Sequence, residues 1–523
     1  MARPLILTRR RFLTATSSVG VSALAMPAIS RANDRPLVTH GVQSGDVGID
    51  SGVVWSRTDR PARMQIEIAT TDSFRGVRRG VFVDALPNTD FTAKALLEDL
   101  PSGQDIFYRI RFADHSSPTI LSEPAVGRFR TAPAERRAVS FTWGGDVAGQ
   151  GWGIDESRGG MRSFGTMLKN RPDFFIHSGD TIYSDGVIGR EMKINDDEVW
   201  NNIVTEAKSK PAETLDEYRG NHKYNLMDKN VLAMNAEVPI FAQWDDHEVT
   251  NNWWPGEPLT RGEHKRNKYT EKNMFALQAR GSRAFHEYMP IRANPAEPGR
   301  VYRKLAYGPL LDVIMLDTRS YRGPNGANMQ ESYGPDAYFF GPDQVAWFKR
   351  TLKASQAEWR VIACDMPLCL PRIYDSEMRG SEAMAQSDGP PRGRELELAD
   401  ILSFIKREKI RNVIWITADV HYAAAHHYDP NKAQFQDFDP FWEFVAGPLH
   451  AGTGSPIPAD NTFGPQVVFQ KAAPPGANRN QGPPHGLQFF GLVAIGADGV
   501  MTVSLKDIND TLLWSRKLEP VKT

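Results

Sequence analysis

Between residues 36 and 132 the chain alternates apolar and polar positions in short runs broken by turn residues: GVVWSR, MQIEIAT, FVDAL, FTAKALLEDL, DIFYRIRF and VGRFR. Successive strand side chains point to opposite faces, so this pattern predicts an all-β, antiparallel sandwich. Arg130-Thr131-Ala132-Pro133 then reads as a linker. From about residue 138 to 520 the pattern changes to unbroken apolar runs separated by helical stretches near 161–169, 274–288, 343–357 and 395–408. Unbroken runs suit strands covered on both faces, and their alternation with helices predicts a layered α/β domain. The polar stretch 184–238 and the tryptophan-bearing loop 251–255 read as insertions over a site. Strand character returns in QFFGLVAIG, VMTVSLKD and LLWSRKLEP, with turns at Asp498-Gly499 and Asn509-Asp510.

Six of the apolar runs stop at an aspartate: Asp146, Asp180, the pair Asp245-Asp246, Asp317, Asp365 and Asp419. His247 and His421 follow two of them closely. One such residue is no more than a strand ending in a turn, where aspartate is common. As a set they point elsewhere, because open α/β sheets bind their ligands beyond the carboxyl ends of strands. Carboxylates gathered there repel one another unless neutralised, and multivalent cations are the simplest neutraliser. The reading is a metal-dependent hydrolase. Glycines stand just before Asp146 and Asp180, where they permit a sharp bend and close approach of an ion. Tyr183 either supplies a phenolate, which suits ferric iron, or packs its ring in a loop.

Composition removes other classes. Hydrophobic content of 41%, charged content of 24% and 36 prolines describe an ordinary globular chain with long loops. Residues 1–32 carry five arginines and no acid; without those five, 57 of the 62 basic residues remain against 63 acidic ones, a charge of −6. No basic run with interleaved aromatics occurs, so nucleic acid is not an expected partner. The first residues hold Arg9-Arg10-Arg11-Phe12-Leu13, a modestly apolar stretch and a small-residue site near Ala32. This resembles a twin-arginine export signal, which implies the Tat machinery as a partner and a periplasmic or secreted bacterial protein. No stretch is long enough for a transmembrane segment. The two cysteines, Cys364 and Cys369, do not organise the fold through disulfides.

Leu100-Pro101-Ser102-Gly103 with Tyr108 resembles the corner before a late strand of fibronectin type III domains. The larger resemblance rests on the order of motifs: Gly179-Asp180 with Tyr183, then Asp245-Asp246-His247-Glu248, then Asp365-Met366-Pro367, then Asp419-Val420-His421. With His40-Gly41-Val42-Gln43-Ser44-Gly45-Asp46 and the run Asp317-Thr318-Arg319-Ser320-Tyr321-Arg322, it resembles the calcineurin-like metallophosphoesterases. Among these it is most similar to the PhoD family of alkaline phosphatases and phosphodiesterases. The resemblance implies an α/β-β/α metallophosphoesterase sandwich and two metal sites. Asp146, Asp180, Tyr183 and His421 would form one, and Asp246, Asp365 and Asp419 the second, with Asp180 bridging. It implies ferric iron and one or two calcium ions, ahead of zinc or manganese, since oxygen-only ligands suit calcium. The chain departs from that family at Asp146, where a cysteine ligand is common. A water made acidic by the ions would attack phosphorus. His247 would serve the leaving oxygen, Asp245 would orient its ring, and Arg319 and Arg322 would grip a phosphate oxygen or pair with nearby acids.

These expectations make the chain a phosphoric ester hydrolase acting on small phosphoesters. Two alternatives remain at this point: a phospholipase D-like phosphodiesterase, and a catalytically silent, calcium-stabilised binding module.

Overall fold

A computed structural model describes residues 35–522 apart from 260–268, 372, 376–379, 475 and 478–479. The predicted export segment, residues 1–32, lies outside the described residues.

Two large sheets stack face to face. One has nine strands in the order Leu512–Leu518, Met501–Asp507, Phe489–Ile495, Val139–Gly144, Phe174–Ser178, Ile240–Gln243, Val38–Gly45, Gly52–Thr58 and Thr92–Leu97. The other has seven, in the order Arg303–Ala306, Leu311–Met315, Trp359–Ala363, Val413–Thr417, Phe441–Val445, Ala423–Tyr428 and Pro465–Lys471. Strands Val139–Gly144, Phe174–Ser178 and Ile240–Gln243 run parallel, as do Leu311–Met315, Trp359–Ala363, Val413–Thr417 and Phe441–Val445.

The unbroken apolar runs are explained by what each face meets. Phe174, Ile176, Val313, Met315, Val361, Ala363, Ile414 and Ile416 point into the space between the sheets. Their neighbours point outward onto helices: Phe175 joins one outer core, and Ile314, Ile362 and Trp415 join another. Helices Arg162–Lys169, Lys229–Glu237 and Met274–Tyr288 cover the nine-stranded sheet, and Pro342–Ala354 and Glu395–Arg407 cover the seven-stranded one. A strand covered on both sides has no polar face to show, so period two is invisible in its sequence. The result is the expected α/β-β/α sandwich.

The amino-terminal strands depart from a free-standing sandwich. Ala62–Ala69, Asp105–Asp114 and Ala125–Arg130 form a separate antiparallel sheet, and Tyr108 is fully buried against it. Val38–Gly45, Gly52–Thr58 and Thr92–Leu97 instead extend the nine-stranded sheet, through a parallel contact of Gly45 with Ile240. Glycine is needed at that seam, because a Cβ there would lie 2.4 Å from the Ile240 carbonyl oxygen and 2.6 Å from that of Pro290.

The insertion 184–238 holds a two-stranded ribbon, Glu191–Lys193 with Val199–Asn201, and the helix Leu215–Asn225, which opens on a Thr214–Glu217 capping box. No helix of the described residues is long and apolar enough to cross a membrane.

Candidate metal centre

The strand ends of the two sheets are tied together. Gln243 Nε2 donates to the carbonyls of Leu316 and Ala363, at 2.9 and 2.8 Å, and Trp143 Nε1 donates to Thr417 O at 3.3 Å. Whatever follows these strands therefore meets in one place. The chain then turns sharply: Asp146, Asp180, Asp419 and His421 have φ of 68°, 48°, 62° and 60°. Left-handed backbone is uncommon for such residues and concentrates where surrounding structure imposes it at a site. Gly179 allows a close approach, since a Cβ there would meet the Asp245 side chain at 2.6 Å.

Three groups of potential ligand atoms result, each lying within 4.8 Å of one another: Asp146, Asp180 and His421; Asp180, Asp246 and His247; and Asp245, Asp246 and Asp419. Asp180 belongs to two of them. His421 Nε2 is 2.7 Å from the Tyr183 hydroxyl and 3.2 Å from Asp146 Oδ1, and its Nδ1 faces the Gly452 carbonyl at 2.5 Å. A proton on Nδ1, shared with that carbonyl, leaves Nε2 as a lone pair facing the acids. Asp365 stands apart from the three groups; it accepts from the Thr318 hydroxyl and is 3.7 Å from Arg319. Asp317, the remaining strand-end acid, caps its own turn by accepting from the Arg319 and Ser320 amides and from Trp244 Nε1.

The electrostatics call for positive charge. Burial, then Asp246, Glu248, Asp146 and Asp419, pushes the Asp180 carboxyl well above the usual carboxylate range. Burial, then Asp180, Asp146 and Asp246, raises the Tyr183 phenol. Asp246, despite burial, is held below its ordinary value by His247 and Arg319. Asp146 Oδ2, Asp245 Oδ2 and Asp246 Oδ1 are buried with no hydrogen-bond partner. Buried carboxylate oxygens are ordinarily paired, so this donor set fits hard cations with oxygen-rich coordination.

Two sequence expectations need correction. Asp245 does not orient His247; its carboxylate turns to Arg319 Nε at 2.6 Å, while His247 Nδ1 is 2.5 Å from Asp185 Oδ1. Arg319 and Arg322 do not reach a substrate surface. Arg319 is 0% exposed, with NH1 2.9 Å from Glu382 and NH2 3.8 Å from Asp246, and Arg322 donates to the Glu382 carbonyl beneath it. The crowded acids draw the Arg319 guanidinium inward as an internal counter-charge.

Sequence reasoning missed Asp185 and Glu382, which lie in polar stretches without periodicity. It grouped Glu248 with its neighbours but assigned it no part. Glu248 accepts from the Asp180, Thr181 and Asp245 amides at 3.1, 2.5 and 2.7 Å, so it clamps two ligand-bearing turns.

Over the centre lies a cavity of about 350 Å³, lined by Asp180, Asp246, Asp419, Glu382, both histidines, Gln150, Asn251, Asn252 and the 453–458 loop. Its described lining holds no lysine or arginine.

The profile of the PhoD-like phosphatase family matches residues 141–504, and that of the PhoD-like phosphatase N-terminal domain matches 23–133. The chain belongs to the PhoD-like phosphatase family. It is 28% identical over 467 residues to alkaline phosphatase D of Bacillus subtilis, covering 84% of this chain and 73% of that one. The fold matches a solved structure of PhoD with a TM-score of 0.66 at 20% identity, over 92% of both chains. It also matches a purple acid phosphatase from yellow lupin, Lupinus luteus, with a TM-score of 0.55 at 12% identity, over 92% of this chain and 74% of that one. As a PhoD-like phosphatase the protein is a metal-dependent phosphoesterase.

Proposed function

We propose that this PhoD-like phosphatase is an exported enzyme that hydrolyses small phosphomonoesters, releasing phosphate, or small phosphodiesters, releasing a phosphomonoester, outside the cytoplasmic membrane. The observation that carries the reading is Asp180, shared between two groups of potential ligands under an open pocket. Asp146, Asp180, Tyr183 and His421 are the ligands proposed for ferric iron. Asp246 and Asp419, with Asp365 behind them, are those proposed for calcium. Such ions, when bound, acidify a water and neutralise phosphoryl oxygens. The twin-arginine segment supports export, and the oxygen-rich donors support hard cations over zinc.

The chain's own residues do the rest. Asp185 holds His247 through Nδ1, and the Tyr183 ring stacks on its face with centroids 4.1 Å apart. That fixes the imidazole and reserves Nε2 to carry a proton to the departing ester oxygen. Asn251 and Asn252 form part of the pocket wall beside it.

Purified protein loaded with iron and calcium should hydrolyse a chromogenic phosphomonoester, a diester, or both, and should lose that activity on chelation. Loaded protein inert toward both would overturn the reading and favour the binding-module alternative.

A further inference from the structure

A lysine is buried behind the turn that carries Tyr183 and Asp185. Lys208 belongs to the insertion over the site and is 1% exposed. Its Nζ donates to Tyr183 O at 2.7 Å and to Asn221 Oδ1 at 2.9 Å, and lies 5.9 Å from the centre of the Tyr224 ring. Asn221 Nδ2 donates to Glu217 O at 3.0 Å, which turns Oδ1 toward the lysine. Both oxygen acceptors are neutral, and no carboxylate of the described residues pairs with the ammonium directly. A buried charge without such a partner is costly, and a neutral side chain of the same length would fill the space without that cost.

What stands in front of the ammonium explains the charge. Tyr183 is two residues before Asp185, and Asp185 is the acid whose charge acts on Lys208. Asp185 Oδ1 faces His247 Nδ1, and its Oδ2 accepts from Asn251 N at 2.9 Å. Ser184 donates from its amide to His247 O at 2.9 Å and from its hydroxyl to Val249 O at 3.0 Å. The insertion fastens the same turn from behind. Ala212 N donates to Ser184 O at 2.8 Å, and Ile188 N to Lys208 O at 2.9 Å.

We propose that Lys208 is a positioning residue for the proton donor: it fixes the turn from Tyr183 to Asp185 and supplies the counter-charge behind Asp185. Its role rests on the proton-donor function proposed for His247, because Lys208 acts through Asp185 and does not touch substrate. As the ester P–O bond breaks, the departing oxygen takes the Nε2 proton while Asp185 keeps the Nδ1 proton in place. A positive charge behind Asp185 favours that arrangement. Its loss is felt most where the departing oxygen most needs a proton.

The test compares two esters of the class the parent hydrolyses, on protein loaded with iron and calcium. One has a nitrophenyl leaving group, which departs without a proton, and the other an alkyl leaving group, which does not. Lys208→Met keeps the apolar stem and removes the charge. At matched metal content it should lower kcat for the alkyl ester by about 10- to 100-fold and for the nitrophenyl ester by less than about threefold, with KM unchanged. Lys208→Gln carries the same expectation and serves if Lys208→Met does not fold. Equal loss on both esters, or no loss on either, overturns the role of Lys208. His247→Ala, measured alongside, should show the same selective loss more strongly. If that variant slows both esters equally, the proton-donor reading of His247 fails, and the role of Lys208 with it.

Discussion

Among single residues, His247 and Arg319 show how chemistry and neutralisation divide. His247 faces the pocket and is held by Asp185, so its removal should cost turnover more than metal. His247→Ala is expected to lower kcat by roughly 10²- to 10⁴-fold, the usual range for a general acid. Asp185→Asn should cost about 10- to 100-fold, as for other partners that orient such histidines, and should shift the pH profile. Unchanged kcat in both variants would remove this pair from the mechanism. Arg319 predicts a different signature. It sits between Asp245, Glu382, Asp246 and Asp365, so Arg319→Met leaves several buried acids uncompensated. Denaturant unfolding of metal-free protein should show a loss of about 3–5 kcal/mol. The ligand aspartates were legible in the sequence because each ends an apolar run. The partner of His247 was not, because Asp185 stands 62 positions away in a polar stretch.

At the level of elements, the strands and helices of the catalytic layers follow the sequence closely, since buried runs and 3.6-residue spacing leave clear marks. The seam between Val38–Gly45 and Ile240–Gln243 left no such mark. It depends on Gly45 fitting between two backbone oxygens, and a glycine in a strand reads the same whether or not another strand abuts it. Gly45→Ala should destabilise by about 2 kcal/mol or more, measured by urea unfolding. The amino end of helix Glu395–Arg407 carries a second expectation. Burial first, and then Asp460, pushes the Glu395 carboxyl up to about 9, and burial raises Asp460 to about 6. A raised acid holds its proton in the folded state, so its stabilisation is full below the ordinary carboxylate range and fades as pH climbs toward 9. Glu395→Gln cannot lose a proton. Its thermal midpoint relative to the parent should therefore rise between pH 6 and pH 9, and a constant difference would contradict the pairing.

Taken as a whole molecule, two stacked sheets exist to bring strand ends from distant parts of the chain to one point. Asp146 and Asp419 are far apart in sequence, yet the Trp143 bridge binds their strands together at the carboxyl ends, as Gln243 does for the strands that lead to Asp245, Asp317 and Asp365. Sequence spacing foretold the layers and the acids, but not that Asp317 would turn inward to cap its own turn. Strand-end position alone does not say which way a carboxylate faces. The most direct test is to count iron and calcium in the parent and in Asp180→Asn after identical loading. If Asp180 joins the two sites, the parent should carry both kinds of ion and the variant neither. A variant that keeps the parent's full complement would contradict it.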